Sequence, residues 1–542
     1  MFSMGIKHFF WWFKNRFREY ITEIKKFERL SIPIDNFLID MNGIFHESAQ
    51  KIYKYGAFKP PPRLLGPDPP AVQNADHLVF KDVCKTIEKI ISIVNPRKRI
   101  VLCIDGPAPI AKQCQQRSRR FLSALNPVEG FDSNCITPGT EFMDNLSKHI
   151  DRFIKNILQP KTKLEIIFSN EKVPGEGEHK LINFIRKHIL KNEMNKYESY
   201  CLHGMDADLI MLALGTHLPN FYIFREEMLL QDFEYYCIDI GNVRKALSEL
   251  LKWGKTFNDE LGINDFIFMC FAVGNDFLPH IPGIAIAEGG IEFMIDVYKN
   301  VASHYGHLTS YVENKIRFRR TSLTPFLGTI GQHEHKVFEN KKDCYEDSIL
   351  ERNLVHNKSE TKLNMEGYKR DYYSIKLVGN EKEIAHSYLE GMQWVLTYYI
   401  EGVSNWRWKY PYHYAPFAST LAKHVKSFVF QSYTISYPTL PFIQLLSVMP
   451  SNSSKLLPPP LSSLLEEGSP LEKYFPKEFK IDMEGVKNTW EATIILPIVD
   501  YSEVEKIYEK YIDKVDPFHR KRNIVGKTFV YSNEGVFILD EF

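Results

Sequence analysis

The chain has 542 residues, 44% hydrophobic and 25% charged, and its 68 Lys and Arg against 67 Asp and Glu leave a net charge of +1. That length exceeds one ordinary core, and the even charge excludes a general polycation that coats nucleic acid, so any anion site has to be local. Eight cysteines without a Cys-x-x-Cys pair argue against a zinc ribbon and fit a reducing compartment, cytoplasmic or nuclear with the cytoplasm preferred, and no apolar run approaches a membrane span.

Residues 5–30 read as an amphipathic helix. Short apolar runs ending in acids follow: "NFLID" at Asp40, "RIVLCID" at Asp105, and "SYCLHGMDAD" at Asp206 and Asp208. "KLEIIFS" leads into "GEGE", which carries Glu176 and Glu178. Helical patterns over 76–94, 140–158 and 179–191 alternate with these runs. This alternation predicts an α/β fold, a mostly parallel central sheet flanked by helices, with ligands bound at the carboxyl ends of the strands. "PPPRLLGPDPP" (60–70) reads as an irregular loop, and "KIRFRR" (315–320) as a short basic run suited to a nucleic-acid surface. From 332 to 366 the sequence is polar and aperiodic, as in an exposed linker or insertion. A second region begins at 367, helical around 380–402 and then rich in aromatics and prolines.

Asp276 in "VGNDFLPH" joins the six acids above. Hard divalent cations such as Mg²⁺ or Mn²⁺ prefer carboxylate and water oxygens. A pair of such ions activates a water and stabilises the leaving oxygen of a phosphate ester. The glycines leave Glu176 and Glu178 on a turn before a helix, and the i, i+2 spacing of "MDAD" predicts both carboxylates on one side of a strand's pleat. Any one of these acids is equally well a helix cap or turn former; seven at one sheet edge point to a metal pair.

Directly after Asp105 comes "GPAPIAKQCQQRSRRF". On a helix, Lys112, Gln116, Arg119 and Arg120 fall at i, i+4, i+7 and i+8, one face. Three cations and an amide on one face suit a small, multiply charged anion such as a terminal phosphate, which Arg grips bidentately. The plainer alternative is a solvated charged face.

Taken together and in order, "MGIKHFF", "LIDMNGIFH", "CIDGPAPIAKQCQQRSRRF", "FSNEKVPGEGEHKLINFIR", "GMDADLIMLAL", "FAVGNDFLPHIPG", "EGMQWVLTYYIEGVSNWRWKYPYHYAP" and "TWEATIILPIVD" resemble the Xrn family of 5′→3′ exoribonucleases. The resemblance implies a nuclease region of the PIN/FEN-like kind over 1–331, a polar segment over 332–366, and a tail at 536–542. Between them, a mainly helical second region over 367–535 would wrap the first and narrow its active site. It implies a metal site of Asp40, Asp105, Glu176, Glu178, Asp206, Asp208 and Asp276, and a 5′-phosphate pocket of Lys112, Gln116, Arg119 and Arg120. The first base would stack between His46 and a tryptophan, Trp408 in preference to Trp406. The implied activity is processive hydrolysis of single-stranded RNA bearing a 5′-monophosphate to nucleoside 5′-monophosphates, by a monomer using two Mg²⁺, with Mn²⁺ able to substitute. Lys7 departs from the family's usual Pro after "MGI", Met4 aligns with the usual start, and the long carboxyl-terminal extension of the large cytoplasmic members is not expected. A flap-endonuclease type of structure-specific nuclease is the alternative enzyme, though no helix-hairpin-helix follows "GNDFLPHIPG". A non-catalytic RNA-binding scaffold is the alternative outside enzymes, and the retention of all seven acids weighs against it.

Overall fold

The computed structural model describes residues 8–59, 72–227, 233–341, 347–356, 361–486 and 491–539. Five short runs of Ile, Leu, Val, Phe and Tyr form the centre of a nine-stranded sheet: β2 (Asn36–Asp40), β3 (Arg99–Cys103), β4 (Glu165–Ser169), β5 (Tyr200–His203) and β6 (Phe221–Glu226). They lie in the order β6-β5-β2-β3-β4, all parallel. β2, β3, β4 and β5 are buried almost throughout because helices cover both faces. The margins are antiparallel: β7 (Phe233–Asp239) and β1 (Ile21–Lys25) on one side, and a hairpin of Thr528–Ser532 and Gly535–Leu539 beyond β4 on the other. The sheet is therefore mixed, parallel only at its centre.

The chain builds outward from β2 to β3 and β4, then returns to β2's other side with β5. The carboxyl ends of β2 and β5 thus flank a topological switch point, where such sheets open a crevice. The crossover helices α2 (Asn42–Tyr53), α3 (Asp76–Val94), α4 (Ile110–Ala124), α5 (Glu141–Phe153), α6 (Gly177–Leu190) and α7 (Leu209–Leu214) connect these strands and cover the sheet. In the second region the helix Glu381–Ile400 is largely buried beyond its first turn, and Pro441–Val448 packs along α4.

Three expectations need correction. The helix foreseen over 5–30 is short, α1 (Phe9–Arg16). Residues 21–25 are instead edge strand β1, because Ile21 and Ile24 find a burial site and a hydrogen-bonding partner on β7. The polar stretch 332–366 is not a linker in its described parts. Helix Arg320–Lys341 runs straight through the boundary at 331, and Phe338, Ile349, Leu350 and Leu363 are buried against Tyr368, Tyr372 and Phe417. Those apolar residues come from one helix end, a five-residue helix and a small hairpin, too short for any period to show. Finally, Thr528–Ser532 and part of the expected tail extend the nuclease sheet, so the chain's end belongs structurally to its first half. The loop foreseen at 60–70 lies outside the described residues.

Candidate active site

Asp40 is the last residue of β2, and Asp105 follows β3 by two. Glu176 is the N-cap residue of α6 and Glu178 sits in its first turn. Asp206 and Asp208 lie in the turn between β5 and α7, with Asp208 at the helix N-cap. The "MDAD" pair is therefore beyond the strand, not on its pleat. Backbone hydrogen bonds lace these loops together. Gly106 N–H donates to Gly175 O at 2.9 Å, Gly175 N–H to Pro107 O at 2.9 Å, and Gly177 N–H to Asp105 Oδ1 at 2.6 Å. Asn42 Oδ1 accepts from Asp105 N–H at 3.2 Å. A Cβ on Gly106 would lie 1.8 Å from Val173 O, so only glycine permits this approach. Lys180, buried, donates to Asn170 O and Val173 O, both at 3.0 Å, and pins the loop that carries Glu176.

Asp40, Glu178 and Asp206 bring ligand atoms within 4.8 Å of one another. Glu178 Oε2 and Asp208 Oδ1 are buried without a hydrogen-bond partner. Burial first, and then the neighbouring carboxylates, push Asp40, Glu178 and Asp208 well above the ordinary carboxylate range. Burial likewise raises Asp206 to about 6, with Asp276 and Asp105 adding to it and Lys112 and Arg119 opposing. Crowded, desolvated carboxylates with unsatisfied oxygens fit a hard divalent cation, which would relieve both penalties.

The basic face divides in two. Lys112 is drawn into the acids: its Nζ lies 2.6 Å from Glu176 Oε2 and 2.6 Å from Asp276 Oδ2. Burial alone would lower its pKa, but those two carboxylates outweigh it and hold the ammonium charged. Tyr398, from the second region, donates to the other oxygen of Glu176 at 2.7 Å, and the His179 ring stacks on Tyr398 at 3.7 Å and 11°. Further along α4, Gln116 Oε1 accepts from Gln444 at 3.2 Å, and Arg120 donates to Thr137 Oγ1 at 2.8 Å. Burial and then Arg119 bring Arg120 down to about 9. Burial, followed by Arg119 and Arg120, brings His46 on α2 down to about 3, so its ring is neutral. Arg119 and Arg120 are half-buried at the edge of the acid cluster, where a phosphate would meet two adjacent guanidinium groups. The opposite face of α4 is structural: Arg117 donates to Ser447 O and Tyr474 O, and Gln113 to Thr439 Oγ1.

The two tryptophans weighed for base stacking are packed differently. Trp408 is 8% exposed, stacks on Trp394 at 4.9 Å and lies against Gly391, where an added Cβ would meet it at 3.0 Å. It is core. Trp406 is half-buried, and its carbonyl accepts from Ile110 N–H at the start of α4, which places it beside the basic helix. Three of the "KIRFRR" cations make contacts within the fold: Arg319 and Arg320 donate to His307 O and Phe428 O, and Arg317 and Arg320 lie over the Phe430 ring. Tyr398, Asn42 and Lys180 were not singled out from the sequence. Tyr398 lies in an aromatic helix that reads as plain core, whereas Asn42, inside "LIDMNGIFH", and Lys180, inside "GEGEHK", carry a local signal.

Residues 4–227 match the family described as XRN 5′-3′ exonuclease N-terminus, and residues 256–360 and 346–536 match the Xrn1 helical domain. The 5′-3′ exoribonuclease 2 homolog of Drosophila melanogaster is 29% identical over 97% of this chain and 73% of its own length. The human 5′-3′ exoribonuclease 1 is 30% identical over 96% of this chain, which spans only 35% of that relative. Among solved structures, the catalytic core of Rad2 in complex with DNA substrate covers 78% of this chain and 94% of its own, at 13% identity and a TM-score of 0.35.

Proposed function

The chain belongs to the Xrn family of 5′-3′ exoribonucleases, and from that premise we propose that it removes nucleoside 5′-monophosphates one at a time from single-stranded RNA that begins with a monophosphate. The observation that carries this reading is a single helix. α4 delivers Lys112 into the acid cluster and, one turn on, Gln116 and, two turns on, Arg119 and Arg120 to a half-buried basic pocket. The two stations lie roughly 10 Å apart along the helix axis, so one rigid element reads both a phosphate being cleaved and the terminal phosphate ahead of it.

Asp40, Glu178, Asp206 and Asp208 are the groups that would hold divalent cations, Mg²⁺ or Mn²⁺. Bound there, such ions polarise a phosphate and lower the pKa of an attacking water. The chain's own residues do the selecting. Arg119 and Arg120 supply the charge-assisted donors for a terminal phosphate. Gln444 and Thr137 hold Gln116 and Arg120 in place by hydrogen bonds. The neutral His46 ring and the half-exposed Trp406 offer flat faces to a base without regard to its identity.

The test uses RNAs that differ only at the 5′ end, with Mg²⁺ and products resolved by size. Monophosphate ends are expected to yield mononucleotides about 10²-fold or more faster than hydroxyl ends, because a hydroxyl forgoes the charge-assisted hydrogen bonds of Arg119 and Arg120. Equal rates would refute the pocket. Asp206→Ala combined with Asp208→Ala is expected to abolish turnover while the melting transition persists; retained turnover would refute the metal assignment.

A further inference from the structure

The acids of the cluster meet positive charge in two different ways. Glu176 has both oxygens engaged, Oε1 by the Tyr398 hydroxyl at 2.7 Å and Oε2 by Lys112 Nζ at 2.6 Å. The same Nζ lies 2.6 Å from Asp276 Oδ2, and Lys112 is 4% exposed. Asp40, Glu178 and Asp206 converge within 4.8 Å, and Glu178 Oε2 and Asp208 Oδ1 are buried and unbonded, with Lys112 acting on them through charge but not by a hydrogen bond. We propose that the cluster is divided: Asp40, Glu178, Asp206 and Asp208 hold one divalent cation in the RNA-free protein, and Glu176 and Asp276 hold Lys112 as a resident cation in place of a second one. The inference rests on the metal reading of the cluster given above.

The physical argument is charge and geometry. A dication entering beside Glu176 and Asp276 would meet a buried ammonium at contact distance, and repulsion inside a desolvated site is weakly screened. Glu176 is also poorly able to turn toward an ion held by Asp40, Glu178 and Asp206. Its free rotation is stopped by Tyr398, whose own ring is fixed by His179 stacked 3.7 Å away. Tyr398 is therefore a positioning residue, acting through Glu176 on Lys112. When a phosphate arrives it offers Lys112 another anion, which frees Glu176 and Asp276 for a second cation. RNA and the second ion should then bind cooperatively.

The experiment counts Mn²⁺ bound to the full chain by calorimetry and by the electron-paramagnetic signal of free Mn²⁺, first without RNA. The expected result is one Mn²⁺ per chain, rising to two with a 5′-phosphorylated oligonucleotide whose first linkage resists cleavage. Glu178→Gln is expected to weaken the RNA-free site about tenfold or more, whereas Glu176→Gln and Tyr398→Phe change it by less than about threefold. Tyr398→Phe keeps the ring stack and serves if Glu176→Gln fails to fold. Two Mn²⁺ without RNA, or equal losses in Glu176→Gln and Glu178→Gln, would overturn the division while leaving the exoribonuclease reading intact. No Mn²⁺ under any condition would overturn the metal reading itself, and this inference with it.

Discussion

Gly177→Ala tests whether the acid cluster is built to ångström tolerance. Gly177 is the first residue of α6, between Glu176 and Glu178, and its φ is not in the left-handed region, so alanine meets no backbone strain. Helix propensity alone would favour alanine by up to about 1 kcal/mol. The neighbours oppose it: the new Cβ would lie 2.6 Å from Asp40 Oδ1 and 3.3 Å from both Asp105 Oδ1 and Cys103 O. The first of these is roughly 1 Å inside ordinary contact, so either the Asp40 carboxylate rotates away or α6 retreats. A displacement of that size at reacting groups costs about 10²-fold in rate, equivalent to about 2.7 kcal/mol of barrier. Stability should change little, because propensity gain and local repulsion partly cancel. The assay is single-turnover cleavage of 5′-monophosphate RNA at saturating Mn²⁺, with a Mn²⁺ titration and a thermal melt alongside. Gly254→Ala, where no atom lies within 4 Å of the added Cβ, is the control and should match wild type. A Gly177→Ala enzyme with wild-type rate and Mn²⁺ dependence would refute the claim that Asp40 and Asp105 are held at the positions catalysis needs.

The two tryptophans should separate cleanly. Trp408→Ala is expected to lower the melting transition, since deleting a buried aromatic costs about 3–5 kcal/mol, whereas Trp406→Ala should leave the melt unchanged and weaken RNA binding about 5- to 150-fold; the opposite pattern would restore the first assignment. Glu47 predicts a pH effect: burial, and then Glu226, raise it from 4.5 to about 8. An acid raised in the folded state holds its proton more tightly there, so its contribution to stability declines as pH climbs from about 4.5 to about 8. Glu47→Gln should therefore melt above wild type at pH 8.5 and with it at pH 5, and identical differences at both pH values would show that Glu47 is not the group responsible.

The alternation of apolar runs and helices was legible because both periods are local, and so the parallel centre of the sheet and the strand-end positions of Asp40 and Asp105 followed from residues alone. The helical face of Lys112, Gln116, Arg119 and Arg120 was legible for the same reason. The antiparallel margins were not: β1 is a strand because β7 lies beside it, and Thr528–Ser532 joins β4 across some 360 residues of chain, contacts that carry no local period. The buried parts of 332–366 were hidden because their apolar side chains are spread over elements too short to repeat. Residue type and spacing marked which groups carry charge, but how that charge is shared depended on distances that only folding sets. Lys112 shares a face with the arginines yet turns to Glu176 and Asp276, and Tyr398 reaches Glu176 from a helix more than 200 positions away. Trp406 and Trp408 differ by two residues and are chemically identical; packing against Trp394 and Gly391 alone made one of them core.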